Sequence, residues 1–326
     1  MMKRRLLFIL LAALIVHLCP NTTFAAKHDY GVETKTIQLQ ENFINYYLIH
    51  KQDNDGKDDS LIIYLNGSDL ACALGPNNAY LEQFVNIIVK LNENTSSEFA
   101  MLIPDKINMG IGQSNARRDE KVMSHYTLQE RVFGAVKVID ECLSANNYKS
   151  VLLVGASEGG GILPKVYNSL KYKEKVSKIV ILAGGGLSQY EEFKYLQKSD
   201  LPMPAAYRGE LQKIDTIMDK IKASPDSMDN TYLGWPYKRW SGFLSYRPLN
   251  ELVKIDIPIL VMHGGKDINT PVESSRMIQE EFNNLGKTNL VYIEYKNLNH
   301  YFGKELDTIL NEIANWLINS PVEVKF

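Results

Sequence analysis

The chain of 326 residues is 45% apolar and 23% charged, with 21 Gly and 12 Pro. These proportions exclude a collagen, a low-complexity disordered chain and a multi-span membrane protein. The 36 Lys and Arg against 38 Asp and Glu leave no basic excess to draw a nucleic acid, and 3 Cys are too few for a disulfide scaffold or a multi-cysteine zinc module.

The first element in the chain reads as an address. Lys3, Arg4 and Arg5 precede the apolar run Leu6 to Leu18, followed by Pro20 and the small residues Ala25 and Ala26. That is the pattern of a cleavable signal peptide over residues 1–26, and the run is shorter than the roughly 20 residues that span a bilayer. Leu18 ahead of Cys19 argues against lipid attachment, which wants a small residue there. The expectation is a secreted or periplasmic domain over residues 27–326, with no stable membrane span. Cys72 and Cys142 would then meet an oxidising setting. Cys72 lies just after a strand's C-terminal end and Cys142 near the far end of a long helix that starts on that side, so two buried free thiols are the simpler expectation and a disulfide the alternative.

Val32–Gln40 and Phe43–His50 read as a pair of lead-in strands ahead of the turn Asp53-Asn54-Asp55-Gly56. Apolar runs follow at 61–65, 100–103, 151–154, 179–182, 259–262 and 290–293, without the alternation of a half-exposed strand. Such runs are strands covered on both faces. Helical patterns at 80–91, 127–145, 160–172, 272–285 and 304–318 lie between or after them, which makes the fold α/β with a mostly parallel central sheet. The rhythm stops from about 188 to 250. Helices near 189–198 and 205–222 lead there into a segment containing Trp235, Tyr237, Trp240, Phe243 and Tyr246. An insertion of this size between two strands is expected to be a helical cap rather than a separate domain.

The strand at 151–154 runs into Gly155-Ala156-Ser157-Glu158-Gly159, directly before a helix. A serine on so sharp a turn needs tiny neighbours two residues away, and Gly155 and Gly159 supply them, which makes Ser157 a candidate nucleophile. A phosphate-binding loop would need a Gly-Lys-Ser/Thr ending that is absent. The serine requires a base and the base an orienting acid, in the order Ser, acid, His. Asp267 follows the strand at 259–262 and His300 the strand at 290–293, each on the loop where that role belongs. His263 is the rival base but precedes two glycines and reads as structural; His50 and His125 come before the serine. The oxyanion amides are expected from Glu158 and from Ser68 in the loop Asn66-Gly67-Ser68-Asp69, with Gly67 allowing a tight backbone.

These residues resemble the α/β-hydrolase superfamily over nearly all of residues 27–326. The Ser-Glu-Gly-Gly turn and the segment from Pro258 to Asp267 are similar to the dienelactone-hydrolase and prolyl-oligopeptidase-like branches. The resemblance implies Ser157 as nucleophile, Asp267 as acid and His300 as base, with Ser68 and Glu158 as oxyanion donors. This chain departs from many relatives in carrying Asn66 where they have His, and it has no room for the N-terminal propeller of the oligopeptidases. The expected activity is hydrolysis of a carboxylic ester, needing no metal and no other cofactor, on a small-molecule ester or short peptide. A serine aminopeptidase or acyl-peptidase is the alternative on the same residues, with Glu191, Glu192, Arg208 and Arg239 as candidates to hold a charged terminus. A catalytically inactive binding protein is the rival of another class. The cap is expected to bring Trp235 or Trp240 to an apolar pocket above Ser157.

Overall fold

The computed structural model describes residues 29–52, 59–95 and 97–319. The signal-peptide reading of residues 1–26 and the turn at 53–56 lie outside the described residues. Along the chain run β1 (Tyr30–Leu39), β2 (Asn42–Lys51), β3 (Ser60–Leu65), α1 (Leu81–Thr95), β4 (Phe99–Pro104), α2 (Glu120–Ser124), α3 (Leu128–Ala145), β5 (Ser150–Ala156), α4 (Glu158–Ser169) and β6 (Lys178–Leu182). There follow α5 (Gln189–Lys198), α6 (Ala205–Leu211), α7 (Ile214–Ala223), β7 (Thr231–Tyr232), β8 (Trp235–Pro236), α8 (Tyr237–Phe243) and α9 (Leu249–Leu252). The last elements are β9 (Ile259–Gly264), α10 (Val272–Asn284), β10 (Leu290–Tyr295) and α11 (Leu306–Asn319).

Eight strands form one sheet in the order β1-β2-β4-β3-β5-β6-β9-β10. β1 and β2 pair antiparallel, β2 pairs antiparallel with β4, and every pairing from β4 to β10 is parallel. All residues of β3 and β4 are buried, which is why their runs show no alternation. On one face Leu61, Ile63 and Leu65 pack with Val138 and Ile139 of α3 and Ile162 and Val166 of α4. On the other, Ile62 and Tyr64 pack with Phe84 and Ile88 of α1 and Ile309 and Ile313 of α11.

Strand order reverses beside β3, whose neighbours are β4 and β5. In an open α/β sheet that reversal opens a crevice at the strands' C-terminal ends. The loop after β3 and the turn after β5 therefore meet there.

The interval between β6 and β9 carries α5 to α9 and the small β7–β8 hairpin. The helix expected at 205–222 is two helices, interrupted at Gln212 and Lys213. The carbonyls of Glu210 and Leu211 accept hydrogen bonds from the Tyr232 hydroxyl and the Gln197 amide, partners from elsewhere in the chain that stabilise the break. The hairpin was not expected either. Leu233 and Gly234 form its turn with φ of 47° and 78°, both left-handed as a two-residue hairpin turn demands. Cys72 and Cys142 are buried free thiols, and burial pushes the Cys142 thiol up to about 11.

Candidate active site

Ser157 sits between β5 and α4 with φ 55° and ψ −124°, a conformation that L-residues hold only under constraint. The constraint comes from packing. A Cβ on Gly159 would lie 2.0 Å from the Leu65 carbonyl oxygen, and one on Gly155 2.6 Å from that of Gly159. Only glycine at both positions lets β3, β5 and α4 close this tightly. The Ser157 N–H donates to the Leu182 carbonyl at 2.8 Å, tying the turn to β6.

The three side chains expected to work together form one hydrogen-bonded chain. His300 Nε2 lies 3.0 Å from Ser157 Oγ, and His300 Nδ1 lies 2.6 Å from Asp267 Oδ2. With the carboxylate as acceptor, the ring proton sits on Nδ1 and leaves Nε2 free to take the serine proton. Burial would raise the Asp267 carboxyl, but His300 and His263, both hydrogen-bonded to it, hold it well below the usual carboxylate range. Its Oδ1 also accepts the N–H groups of Asn269 at 2.7 Å and Thr270 at 2.9 Å.

His263 does not reach Ser157. Fully buried, it places Nε2 3.1 Å from Asp267 Oδ2 and 3.0 Å from the Thr270 carbonyl, with Nδ1 2.6 Å from Ser275 Oγ. It braces the acid from behind. The glycines that follow it serve close approach: a Cβ on Gly264 would lie 2.4 Å from the Asn299 carbonyl oxygen, in the loop that carries His300. His50 and His125 pair with Glu33 and Glu130 instead.

On the oxyanion side, Ser68 and Glu158 line the same cavity as Ser157. Gly67 was expected to serve by backbone freedom, yet its φ is not left-handed. Proximity is the reason for glycine there, since a Cβ would stand 3.3 Å from Ser157 Cβ.

The sequence reading gave Glu158 a role through its backbone and missed its side chain. Its carboxylate is buried and accepts the Tyr126 hydroxyl at 2.7 Å, Arg131 Nε at 3.3 Å and Arg239 Nη2 at 2.5 Å. Burial works against its charge, and Arg239 and Arg131 outweigh burial to hold the carboxyl below its ordinary value. Arg131 Nη2 also donates to the Asn66 carbonyl at 2.8 Å, so one guanidinium joins the loop after β3 to the residue after the serine.

No protein-family model matches the chain. Est1E from Butyrivibrio proteoclasticus, solved with ferulic acid bound, superposes with a TM-score of 0.59 at 16% identity, over 87% of this chain and 98% of that one. The Pyrococcus furiosus esterase Pf2001 gives 0.56 at 14% identity, over 92% and 94%. The Pyrococcus horikoshii acylaminoacyl peptidase gives 0.59 at 12% identity, over 93% of this chain but 44% of that one. The chain has the α/β-hydrolase fold. In sequence it is 22% identical over 208 residues to esterase EstD of Thermotoga maritima, 58% of this chain and 47% of that protein. A 73-residue stretch is 32% identical to the uncharacterized peptidase YtmA of Bacillus subtilis, 22% of this chain and 28% of that one. The chain thus spans about half, or less, of the length of the curated relatives it matches.

Within this fold the β6–β9 insertion covers the crevice. Trp235, Trp240, Phe243 and Leu233 line the cavity with Ser157. Trp235 also fastens the cap to the body of the domain, and Trp240 holds the cap together. Trp235 packs on Tyr126 with ring centroids 4.7 Å apart, and Trp240 Nε1 donates to the Tyr232 carbonyl at 2.7 Å. The Arg239 guanidinium lies over the rings of Trp240, Trp235 and Phe243 at 4.2, 4.4 and 4.5 Å. Polar residues line the cavity as well, among them Gln189, Glu192, Tyr207 and Asn269, so the expectation of an apolar pocket describes only part of it. Among the described residues, no helix is long and apolar enough to cross a membrane.

Proposed function

We propose that this protein is a serine hydrolase that cleaves carboxylic esters through an acyl-enzyme. The observation that carries the reading is the unbroken hydrogen-bonded chain from Ser157 through His300 to Asp267, opening on a cavity roofed by the cap. Ser157 attacks the ester carbonyl while His300 Nε2 takes its proton. The oxyanion forms toward the N–H groups of Ser68 and Glu158, at the start of α4, where the helix dipole favours negative charge. His300 then gives its proton to the leaving alcohol, and water repeats the sequence to free the acid. Asp267, held ionised, fixes the ring tautomer throughout.

Esterases matched along nearly their whole length support an ester as substrate, whereas the peptidase is matched over less than half of its own. The Ser157→Ala variant is expected to lose both ester turnover and labelling by a fluorophosphonate probe, with its circular dichroism unchanged. Labelling that survives the substitution would remove Ser157 from the mechanism. The proposal includes export, motivated by the basic, apolar and small-residue order of residues 1–26. The mature protein recovered from a secreting host should start near residue 27 by N-terminal sequencing, and a retained Met1 would refute export by cleavage.

A further inference from the structure

Four charged cap side chains were candidates for holding a charged substrate group, and three of them are engaged elsewhere. Glu191 Oε2 accepts the Ser188 N–H and hydroxyl, both at 2.8 Å, and faces Arg247 Nε at 3.6 Å. Arg208 donates to the carbonyls of Ser199 and Leu201, each at 2.9 Å. Arg239 also lines the cavity, but its Nη2 is bound to Glu158 and its guanidinium is held against the rings of Trp240, Trp235 and Phe243. Glu192 differs. It is 7% exposed, lines the cavity that holds Ser157, and accepts the Ser274 hydroxyl on Oε1 at 2.7 Å. Its Oε2 has no donor among the described residues.

A second acceptor without a donor lies on the same helical face. Gln189, three residues earlier on α5 and so beside Glu192, lines the same cavity, and its buried Oε1 has no hydrogen-bond partner. The groups that act on Glu192 are the Ser274 hydroxyl from α10, the Asp267 carboxylate from the loop after β9 and Glu191 beside it on α5, and Glu192 in turn acts on the Tyr207 phenol of α6. None is a cation. Burial comes first, and with Asp267 and Glu191 it pushes the carboxyl up to about 8 against the pull of Ser274. A buried carboxyl in a negative field, beside a vacant amide acceptor, is a site that lacks its positive charge.

We propose that Glu192 and Gln189 form a subsite for a protonated primary amine, so that the cavity takes substrates bearing an ammonium group. The inference rests on the hydrolase reading above. A neutral hydroxyl would satisfy one acceptor and leave the field unopposed, whereas an ammonium supplies three donors and the charge. On binding, the ammonium ionises Glu192 and its proton leaves to solvent. Affinity for the amine therefore rises with pH up to about 8.

Calorimetric titration of the full chain with 2-phenylethylammonium and with 2-phenylethanol tests this without any turnover. At pH 8 the ammonium is expected to bind at least about tenfold more tightly than the alcohol, the worth of one charge-assisted hydrogen bond. That preference should shrink at pH 6, and titrations at pH 7 in two buffers of different ionisation enthalpy should show proton release. Glu192→Gln keeps an acceptor for Ser274 and is expected to abolish the preference. Equal affinities in the parent, no binding of either compound, or a preference that persists in Glu192→Gln would overturn the subsite. Fluorophosphonate labelling of Ser157 in the same preparation shows separately whether the hydrolase reading stands.

Discussion

At the scale of single residues, the site turns on how many hydrogen bonds one carboxylate can hold. Asp267 accepts from His300, His263, Asn269 and Thr270, which keeps it ionised although it is fully buried. Asp267→Asn preserves volume but offers His300 Nδ1 a neutral amide, which can fix the wrong tautomer. Steady-state kinetics should show kcat falling by about 10⁴ with KM little changed; a loss under tenfold would mean that His300 needs no ionised partner. Ser157, Asp267 and His300 could be placed from sequence because each follows a strand in a fixed order and the glycines around the serine are local. The Glu158 side chain could not. Its arginine partners are 27 and 81 residues away, and no local spacing connects them. Glu192 was visible only as one of four charges, since which carboxyl keeps a vacant oxygen depends on tertiary packing.

At the scale of elements, α3 delivers Arg131 to the junction between the β3 loop and α4. Arg131 touches Asn66 and Glu158 and makes no hydrogen bond to Ser157 or His300, so on the proposed mechanism it acts by positioning. Removing it with Arg131→Met frees the loop that carries Ser68 and leaves the Asn66 carbonyl without this donor. A loss in kcat of roughly tenfold to a hundredfold is expected, with KM nearly unchanged, below the cost of deleting an oxyanion donor outright. Arg131→Lys should recover part of it. A KM effect alone would show that Arg131 shapes the cavity instead. The long elements were legible because their periodicity is strong. The β7–β8 hairpin was hidden because Leu233 occupies a left-handed turn position where Asn or Gly is the usual signal. The break after Leu211 was hidden because its partners, Tyr232 and Gln197, act from other elements.

At the scale of the whole molecule, buried carboxyls of opposite tendency set the response to pH. Burial raises Asp105 to about 7 and Glu192 to about 8. Both therefore bind more protons folded than unfolded from the ordinary carboxyl range near 4 upward, and stability falls as pH rises to about 8. Asp267 and Glu158 are shifted the other way. Their stabilisation is present above the unfolded range and is lost as pH drops through their lower folded values. Thermal unfolding followed by circular dichroism should therefore give the highest Tm between about pH 4 and 6, and Glu192→Gln should flatten the decline on the alkaline side. A Tm that climbs steadily to pH 8 would contradict both assignments. The mostly parallel sheet was within reach of sequence because six apolar runs alternate with helices, whereas its strand order was not, since alternation says nothing of which strands become neighbours. Which face the cap covers followed from the insertion point, whereas the polar character of the cavity wall did not.

The Arg239–Glu158 bond has a further meaning for how this protein can change. It joins the cap to the residue after Ser157 through two charges that are both out of water. Swinging the cap open would break this pair, which ties the roof to the start of α4. The same fastening makes the cap a poor module for exchange. A transplanted roof without an arginine at this place would leave Glu158 with Arg131 as its one remaining cation, so a working exchange has to carry Arg239 with the roof.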